Sequence, residues 1–280
     1  MLSKVKIVGA ASLLALSVGA QANVVDLFTD PVAGQKVDTD GLATGTSVYN
    51  EIGSYASIIG GYRSLEIVEV SDGNTLPLQN GASMVAGGGE LAFNSGTAIE
   101  AVGTLQWDGN DASSDLTKTG MGSENLVVQA GCPAGGCDRF IFDVLEADHA
   151  FDFTIGLYTD DDYWTEFDLT ATTGAHTSEI FFSFFENAAG CGLAGSPPLP
   201  SGVVAQRCGT SGVADVESIG AIQLIFNLDP LTTALDFRIG AVTKTGVPEP
   251  SMVALLGLGL ASSGLVSIRR RRKEKALLAD

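Results

Sequence analysis

The chain has 280 residues, of which 45% are hydrophobic and 17% charged, and its formal net charge is −18. This length and apolar content fit a globular protein of one or two domains, and they exclude a disordered polymer and a polytopic transporter. Between Asn23 and Gly246 only seven residues are basic, and they are scattered among thirty acidic ones. A nucleic-acid partner needs a clustered basic face that displaces counterions, so we expect no binding of nucleic acid.

Residues 1–22 have the organisation of a secretory signal peptide. Lys4 and Lys6 form a basic start, an apolar run follows, and the small residues Ala20 and Ala22 stand at minus-three and minus-one before Asn23. The apolar run is shorter than a helix needs to be to cross a bilayer core about 30 Å thick. We therefore predict a signal helix, cleavage by signal peptidase after Ala22, and export. An uncleaved N-terminal anchor or a buried helix is the alternative.

Residues 23–246 show short runs of two-residue alternation separated by Gly, Asp, Asn, Ser and Pro. This pattern is typical of half-buried strands, and no sustained helical period occurs. We predict a single all-β domain, an antiparallel β-sandwich of the jelly-roll kind, with a β-barrel as the alternative. The predicted strands are residues 65–70, 91–93, 99–107, 126–129, 139–145, 151–157, 164–170, 180–185, 221–228 and 235–241.

Four cysteines lie in this predicted ectodomain as two pairs close in sequence. Cys132 and Cys137 bound a Cys-Pro-Ala-Gly-Gly-Cys segment, and Cys191 and Cys208 flank a Pro-rich stretch within residues 190–212, which we predict to be one large surface loop. An oxidising compartment favours disulfides. Of the three possible connectivities, the one that closes the two short loops demands the least entropy. A zinc site is the alternative, but the second pair is spaced too widely for it.

The motifs of common enzymes are missing from the sequence. No Gly-x-Ser-x-Gly elbow occurs, and a run of three glycines, 87–89, lacks the lysine of a phosphate-binding loop. His149 and His176 are the only histidines, and their surroundings indicate strand-edge or turn residues. We expect a protein without catalytic residues. A secreted carbohydrate-active enzyme is the alternative, because the many acidic residues offer carboxylate pairs without singling one out.

An acidic run stands next to two aromatic residues in the middle of the chain: Asp160, Asp161 and Asp162 precede Tyr163 and Trp164. Loop carboxylates are Ca²⁺ ligands, and exposed aromatic rings beside polar groups suit stacking on sugars. The run is therefore a candidate Ca²⁺ or glycan site, with solvated turn acids and inward-packed rings as the alternatives. A second acidic stretch, 108–111, follows a tryptophan and lacks EF-hand spacing. No metal site is assigned, and no other cofactor is expected.

The C-terminal segment, 247–273, has three parts in order. A proline-containing box, 247–250, precedes an uncharged stretch, 251–268, whose 18 residues would reach about 27 Å as a helix, enough to cross a membrane once. The basic cluster that follows keeps residues 274–280 in the cytoplasm. The two prolines hold the box extended, as a protease or transpeptidase requires of its substrate. The box is Val247, Pro248, Glu249 and Pro250, and the cluster is Arg269, Arg270, Arg271, Arg272 and Lys273.

These three parts resemble the C-terminal sorting signal of PEP-CTERM proteins. The resemblance covers residues 247–273 and does not extend to the ectodomain. It implies an inner-membrane intermediate in a Gram-negative bacterium, recognition by an exosortase, and removal of the tail near the box. It further implies delivery to the cell surface or extracellular matrix. We expect the exported ectodomain to interact with exopolysaccharide there. The alternative is a permanent membrane anchor, in which the prolines only mark the start of the span.

Overall fold

The computed structural model describes residues 24–73, 81–128, 136–193, 203–227 and 232–245. The predicted signal peptide, the box, the span and the basic cluster lie outside these residues, as does Cys132. Within the described ranges, no helix has both the length and the apolar character needed to cross a membrane.

The described part of the chain consists of β-strands joined by turns, with one short helix. The strands are β1 (Val24–Asp26), β2 (Gln35–Asp38), β3 (Ser47–Gly53), β4 (Tyr62–Asp72), β5 (Ala82–Gly87), β6 (Glu90–Ser95), β7 (Ile99–Trp107), β8 (Arg139–Ala147), β9 (Phe151–Tyr158), β10 (Trp164–Ala171), β11 (His176–Phe181), β12 (Val203–Cys208), β13 (Ala221–Phe226) and β14 (Asp236–Thr245). The helix α1 (Phe182–Phe185) directly follows β11, and two 3₁₀ turns lie at Ile59–Gly61 and Ala188–Gly190.

The strands form two open, seven-stranded antiparallel sheets. Sheet 1 has the order β11-β8-β14-β6-β5-β2, and β1 also pairs with β14. Sheet 2 has the order β12-β10-β9-β13-β7-β4-β3. The predicted all-β antiparallel sandwich is confirmed, and the open sheets decide against the barrel that the sequence left as the alternative.

The hydrophobic core lies between the two sheets, because alternate residues of each strand point inward. Phe237 of sheet 1 stacks on Phe151 of sheet 2, with ring centroids 4.5 Å apart, and Phe226 of sheet 2 lies 5.0 Å from the same ring. Helix α1 contributes Phe185 to this core. Its ring meets Phe167 of sheet 2 edge-on at 4.9 Å, so α1 packs against the sandwich core beside β10.

Eight of the ten predicted strands are confirmed within the described residues, and two are wrong. Residues 126–128 form bends, and the predicted strand 180–185 ends at Phe181, where α1 begins. The predicted loop 190–212 is also wrong as a single loop, because β12 lies inside it and pairs with β10. The sequence analysis also did not find β1, β2, β3 and β5 or the first four residues of β11.

Candidate functional site

The candidate site is the face of sheet 2 that points away from sheet 1. Residues directly opposite each other in the strand register form rows across the sheet. One row crosses all seven strands and consists of Glu51, Ser64, Gln106, Gln223, Gly156, Glu166 and Arg207. The next row on the same face consists of Tyr49, Glu66, Thr104, Ile225, Thr154, Asp168 and Ala205.

We call the surface formed by these two rows the outer face. The residues of the row between these two point to the opposite side of the sheet, into the core, where Leu65, Leu105 and Leu224 are buried. The outer face therefore points away from sheet 1. Strands lie about 4.8 Å apart, so the face extends roughly 29 Å across the strands. Twelve of its fourteen positions carry polar side chains or glycine. It therefore carries hydrogen-bonding groups along most of its length, of which Ser64, Gln106, Gly156 and Thr154 are buried.

A hydrogen-bond network organises the centre of the outer face. The Tyr158 hydroxyl donates to Glu166 Oε1 at 2.6 Å, and Gln223 Oε1 lies 3.2 Å from the same hydroxyl. Burial and the neighbouring Glu166 raise the pKa of Tyr158, so its hydroxyl stays a neutral donor. Gly156 makes room for this ring, because a Cβ there would lie 2.5 Å from the Tyr158 oxygen. Arg207 Nε donates to the second oxygen of Glu166 at 2.9 Å and fixes that carboxylate from the other side.

An aromatic cluster continues the outer face beyond this network. The rings of Tyr158 and Trp164 are 6.2 Å apart, and the Lys118 ammonium lies 5.5 Å and 5.4 Å from their centroids. Cation–π contacts of this kind hold the lysine against the rings. Trp164, which the sequence analysis named as part of a candidate Ca²⁺ or glycan site, thus lies at the edge of the outer face. Its neighbour Tyr163 is 45% exposed and lies near Gly212 instead.

The predicted acidic run forms the turn between β9 and β10. Asp160 Oδ1 accepts the N–H groups of Asp162 and Tyr163, both at 2.8 Å, and Asp162 Oδ1 accepts the Thr210 hydroxyl at 2.8 Å. Asp161 is exposed and lies 4.0 Å from Lys118 Nζ. Asp160 thus orders the turn itself, and Asp162 links the turn to Thr210, which follows β12. Among the residues that the structure describes, no three His, Cys, Asp or Glu side chains are grouped so that they could hold a metal ion.

A loop of residues 109–118, which we call the β7 loop, covers one part of the outer face. Its Ala112 N–H donates to Glu51 Oε2 at 3.0 Å, and its Ser114 carbonyl accepts from the Gln106 amide at 3.3 Å. Its Thr117 N–H donates to Asp108 Oδ2 at 3.0 Å. Burial, assisted by nearby carboxylates, raises the pKa of Asp108 to about 6. The β7 loop therefore encloses polar side chains that the strands direct outward.

The remaining candidate residues lie elsewhere. A disulfide joins Cys191 to Cys208, and Cys137 is also disulfide-bonded. Trp107, the tryptophan before the second acidic stretch, is fully buried, and its indole N–H donates to Asp26 Oδ2 at 2.9 Å. His149 contacts Asp148 and His176 contacts the Gly174 carbonyl, both outside the outer face.

Sequence reasoning missed most of the outer face. Trp164 was noted as an aromatic neighbour of the acidic run, but Lys118, Gln223 and Arg207 carried no local signal. Their role depends on which strands pair and in which register. The alternating pattern of each strand indicates only that a polar face exists, not which strands share it.

The C-terminal residues identify one segment of the chain. Residues 246–272 match the family model of the PEP-CTERM protein-sorting motif. This chain carries a PEP-CTERM sorting motif. The match agrees with the box, span and basic cluster and confirms the resemblance based on those residues. No curated protein matches the sequence.

Two solved structures similar to this chain come from Clostridium thermocellum. One is a family 11 carbohydrate-binding module in complex with a beta-1,3-1,4-mixed-linked tetrasaccharide, with 13% identity and a TM-score of 0.30, covering 77% of this chain and 97% of that one. The other is the family 11 carbohydrate-binding module of the cellulosomal cellulase Lic26A-Cel5E, with 13% identity and a TM-score of 0.28, covering 77% and 96%. A likeness at this level supports no inference about fold or ligand.

Proposed function

We propose that this protein is a non-enzymatic, exported surface or matrix protein of a Gram-negative bacterium, sorted by an exosortase. The observation that carries the proposal is the PEP-CTERM motif at residues 246–272. Signal peptidase removes residues 1–22, the stretch 251–268 holds an intermediate in the inner membrane, and the exosortase removes the tail near Pro248–Pro250. The acidic ectodomain with its disulfides suits the compartment that this route reaches.

Intact-mass analysis of the protein from the cell surface tests this route, in strains with and without the exosortase. We expect the chain to begin at Asn23 in both strains. The basic cluster should be missing only in the strain that has the exosortase. Replacing both Pro248 and Pro250 by Ala should block tail removal, whereas Glu274→Ala, beyond the cluster, should leave it unchanged. A basic cluster retained in both strains would contradict sorting and favour the permanent anchor.

We further propose that the ectodomain associates with extracellular polysaccharide through the outer face. The accessible side chains of its rows, among them Glu166, Gln223 and Arg207, supply donors and acceptors for sugar hydroxyls, and Trp164 offers a half-buried ring beside them. Four carboxylates lie on this face, and Arg207 balances only the two nearest it. A polyanionic chain would meet repulsion there, so the proposed ligand is a neutral polysaccharide. The four carboxylates are those of Glu51, Glu66, Glu166 and Asp168.

Affinity electrophoresis of the protein in gels containing polysaccharide tests this binding. The neutral fraction of the cell's own exopolysaccharide should retard the protein, whereas a polyuronate should not. The double variant Gln223→Ala/Trp164→Ala should weaken binding about tenfold or more. Asn94→Ala, an exposed change on β6 of sheet 1, is the matched control and should bind as the wild type. Equal binding by both variants would contradict the proposal, and release of reducing sugars would favour the enzyme alternative.

A further inference from the structure

We propose that Ser64, Gln106 and Asp108 form a binding site for a hard divalent cation such as Ca²⁺ beneath the β7 loop. The proposal does not depend on polysaccharide binding or on sorting. It rests on the register of two strands, on the burial of three oxygen atoms and on the charges around them.

The strand register brings the three side chains together. Ser64 of β4 lies directly opposite Gln106 of β7, and such partners have Cβ atoms about 4.5–5.5 Å apart. Asp108 follows Gln106 by two positions, and Trp107 between them points into the core. Asp108 therefore projects from the same side of the chain as Gln106. The β7 loop closes over this side, so the three residues are only 1%, 2% and 1% exposed.

Each of the three side chains has one buried oxygen that accepts no hydrogen bond of normal geometry, and the Ser64 hydroxyl lies beside that of Tyr49. These atoms are Ser64 Oγ, Gln106 Oε1 and Asp108 Oδ1. The other polar atoms of Gln106 and Asp108 are bonded to the β7 loop, through the Ser114 carbonyl and the Thr117 N–H. A buried oxygen that accepts no hydrogen bond is destabilising, so three that the strand register places on one side of β4 and β7 favour an electropositive partner there. Hydroxyl, amide and carboxylate oxygens are the ligand types that Ca²⁺ takes.

The surrounding charges favour a cation over a neutral molecule. Glu51 and Asp111 lie close enough to raise the pKa of Asp108, in addition to the effect of its burial. Both are held by the loop, because Glu51 accepts the Ala112 N–H and Asp111 Oδ2 accepts the Thr117 hydroxyl at 2.5 Å. A divalent ion would offset this concentration of negative charge and would link the loop to β4 and β7. The β9–β10 turn differs, because Asp160 and Asp162 already accept hydrogen bonds from protein groups.

Isothermal titration of the EDTA-treated, full-length protein in detergent tests the site, with Ca²⁺ and Mg²⁺ chlorides as the probes. We expect Asp108→Asn to weaken Ca²⁺ binding tenfold or more and to abolish the rise in melting temperature that Ca²⁺ gives the wild type. Asp161→Asn makes the same charge change in the exposed part of the β9–β10 turn and should leave both unchanged. Circular dichroism in EDTA compares the folds of the variants.

Gln106→Met provides an independent variant that keeps the size of the side chain and removes its oxygen. It should weaken Ca²⁺ binding even if Asp108→Asn does not fold. The proposal is overturned if the wild type binds no Ca²⁺, which would leave ordered water as the partner of the three oxygens. It is also overturned if Gln106→Met binds as the wild type, or if Asp161→Asn is the variant that loses binding.

Discussion

Arg63 is fully buried, yet its guanidinium is paired on every side. It donates to both carboxylate oxygens of Asp26 at 2.8 and 2.9 Å, to Gln35 Oε1 at 2.7 Å and to the Asp30 carbonyl at 2.6 Å. Asp26 also accepts the indole N–H of Trp107. Because Asp26 and Gln35 belong to sheet 1 and Arg63 and Trp107 to sheet 2, this network fastens the two sheets together inside the core.

Removing the cation from this network should strongly destabilise the fold. Arg63→Met leaves the Asp26 carboxylate buried without its partner, and we expect the free energy of unfolding to fall by about 3–5 kcal/mol in urea titrations. The double variant with Asp26→Asn should lose less than the sum of the two single losses. Arg238→Met removes an exposed arginine paired with Glu146 and should have a much smaller effect. Equal losses for the two arginines would contradict the role assigned to Arg63.

Lys244 gives the stability a pH dependence. Its side chain is fully buried near the C-terminal end of β14. Burial lowers its pKa from 10.5 to about 8, although the negative charge of Glu124 acts to raise that pKa. Between these two pKa values the unfolded chain binds more protons than the folded one, so stability rises with pH. We expect a gain of about 1–2 kcal/mol between pH ~8 and ~9.5 in urea titrations. Lys244→Met should lack this gain, and the same slope in both proteins would contradict the prediction.

Strand β12 is held at the edge of its sheet partly by a disulfide bond. It forms an edge of sheet 2 and pairs only with β10 among the described strands. The Cys191–Cys208 bond ties its last residue to the segment after α1, across a sequence separation of 17. That segment also meets β12 through Gln206, whose amide donates to the Asn187 carbonyl at 2.9 Å. The disulfide thus joins the edge strand to the region that places Phe185 in the core.

Removing this disulfide should loosen the edge of sheet 2. We expect Cys191→Ala/Cys208→Ala to lower the free energy of unfolding by about 3 kcal/mol, because the open chain gains entropy in the unfolded state. Thermal melts of the variant and the wild type measure the loss. Wild-type protein melted with reductant should match the variant or fall below it. An unchanged melting temperature in the variant would show that the bond does not hold β12.

The same elements show which secondary structure a sequence reveals. β7 and β10 alternate apolar and polar residues cleanly, and both were predicted within one residue of their ends. β3 is an edge strand with no fully buried residue, so its sequence lacks that alternation. The four residues of α1, Phe-Ser-Phe-Phe, suit a strand as well as a helix. Their conformation depends on the core site that Phe185 fills, and that information is not local.

At the scale of the whole molecule, the order of the strands determines the candidate site. Gln106 and Gln223 are neighbours on the outer face although more than a hundred residues separate them. No local pattern specifies that pairing, so the sequence predicted a sandwich but not its polar face. The sorting motif is the opposite case, because its box, span and basic cluster act as one continuous segment. It could therefore be recognised from the sequence, whereas the jelly-roll connectivity stays a prediction.

Strand β14 ends at Thr245, and the sorting motif begins at the next residue. β14 is an interior strand of sheet 1, flanked by β8 on one side and by β6 and β1 on the other. If the exosortase leaves the protein attached at its new C-terminus, tension on that attachment pulls along β14. Such a load shears the hydrogen bonds to all three neighbours at once rather than peeling them apart one by one. The anchoring point then resists mechanical extraction because it lies in the middle of a sheet.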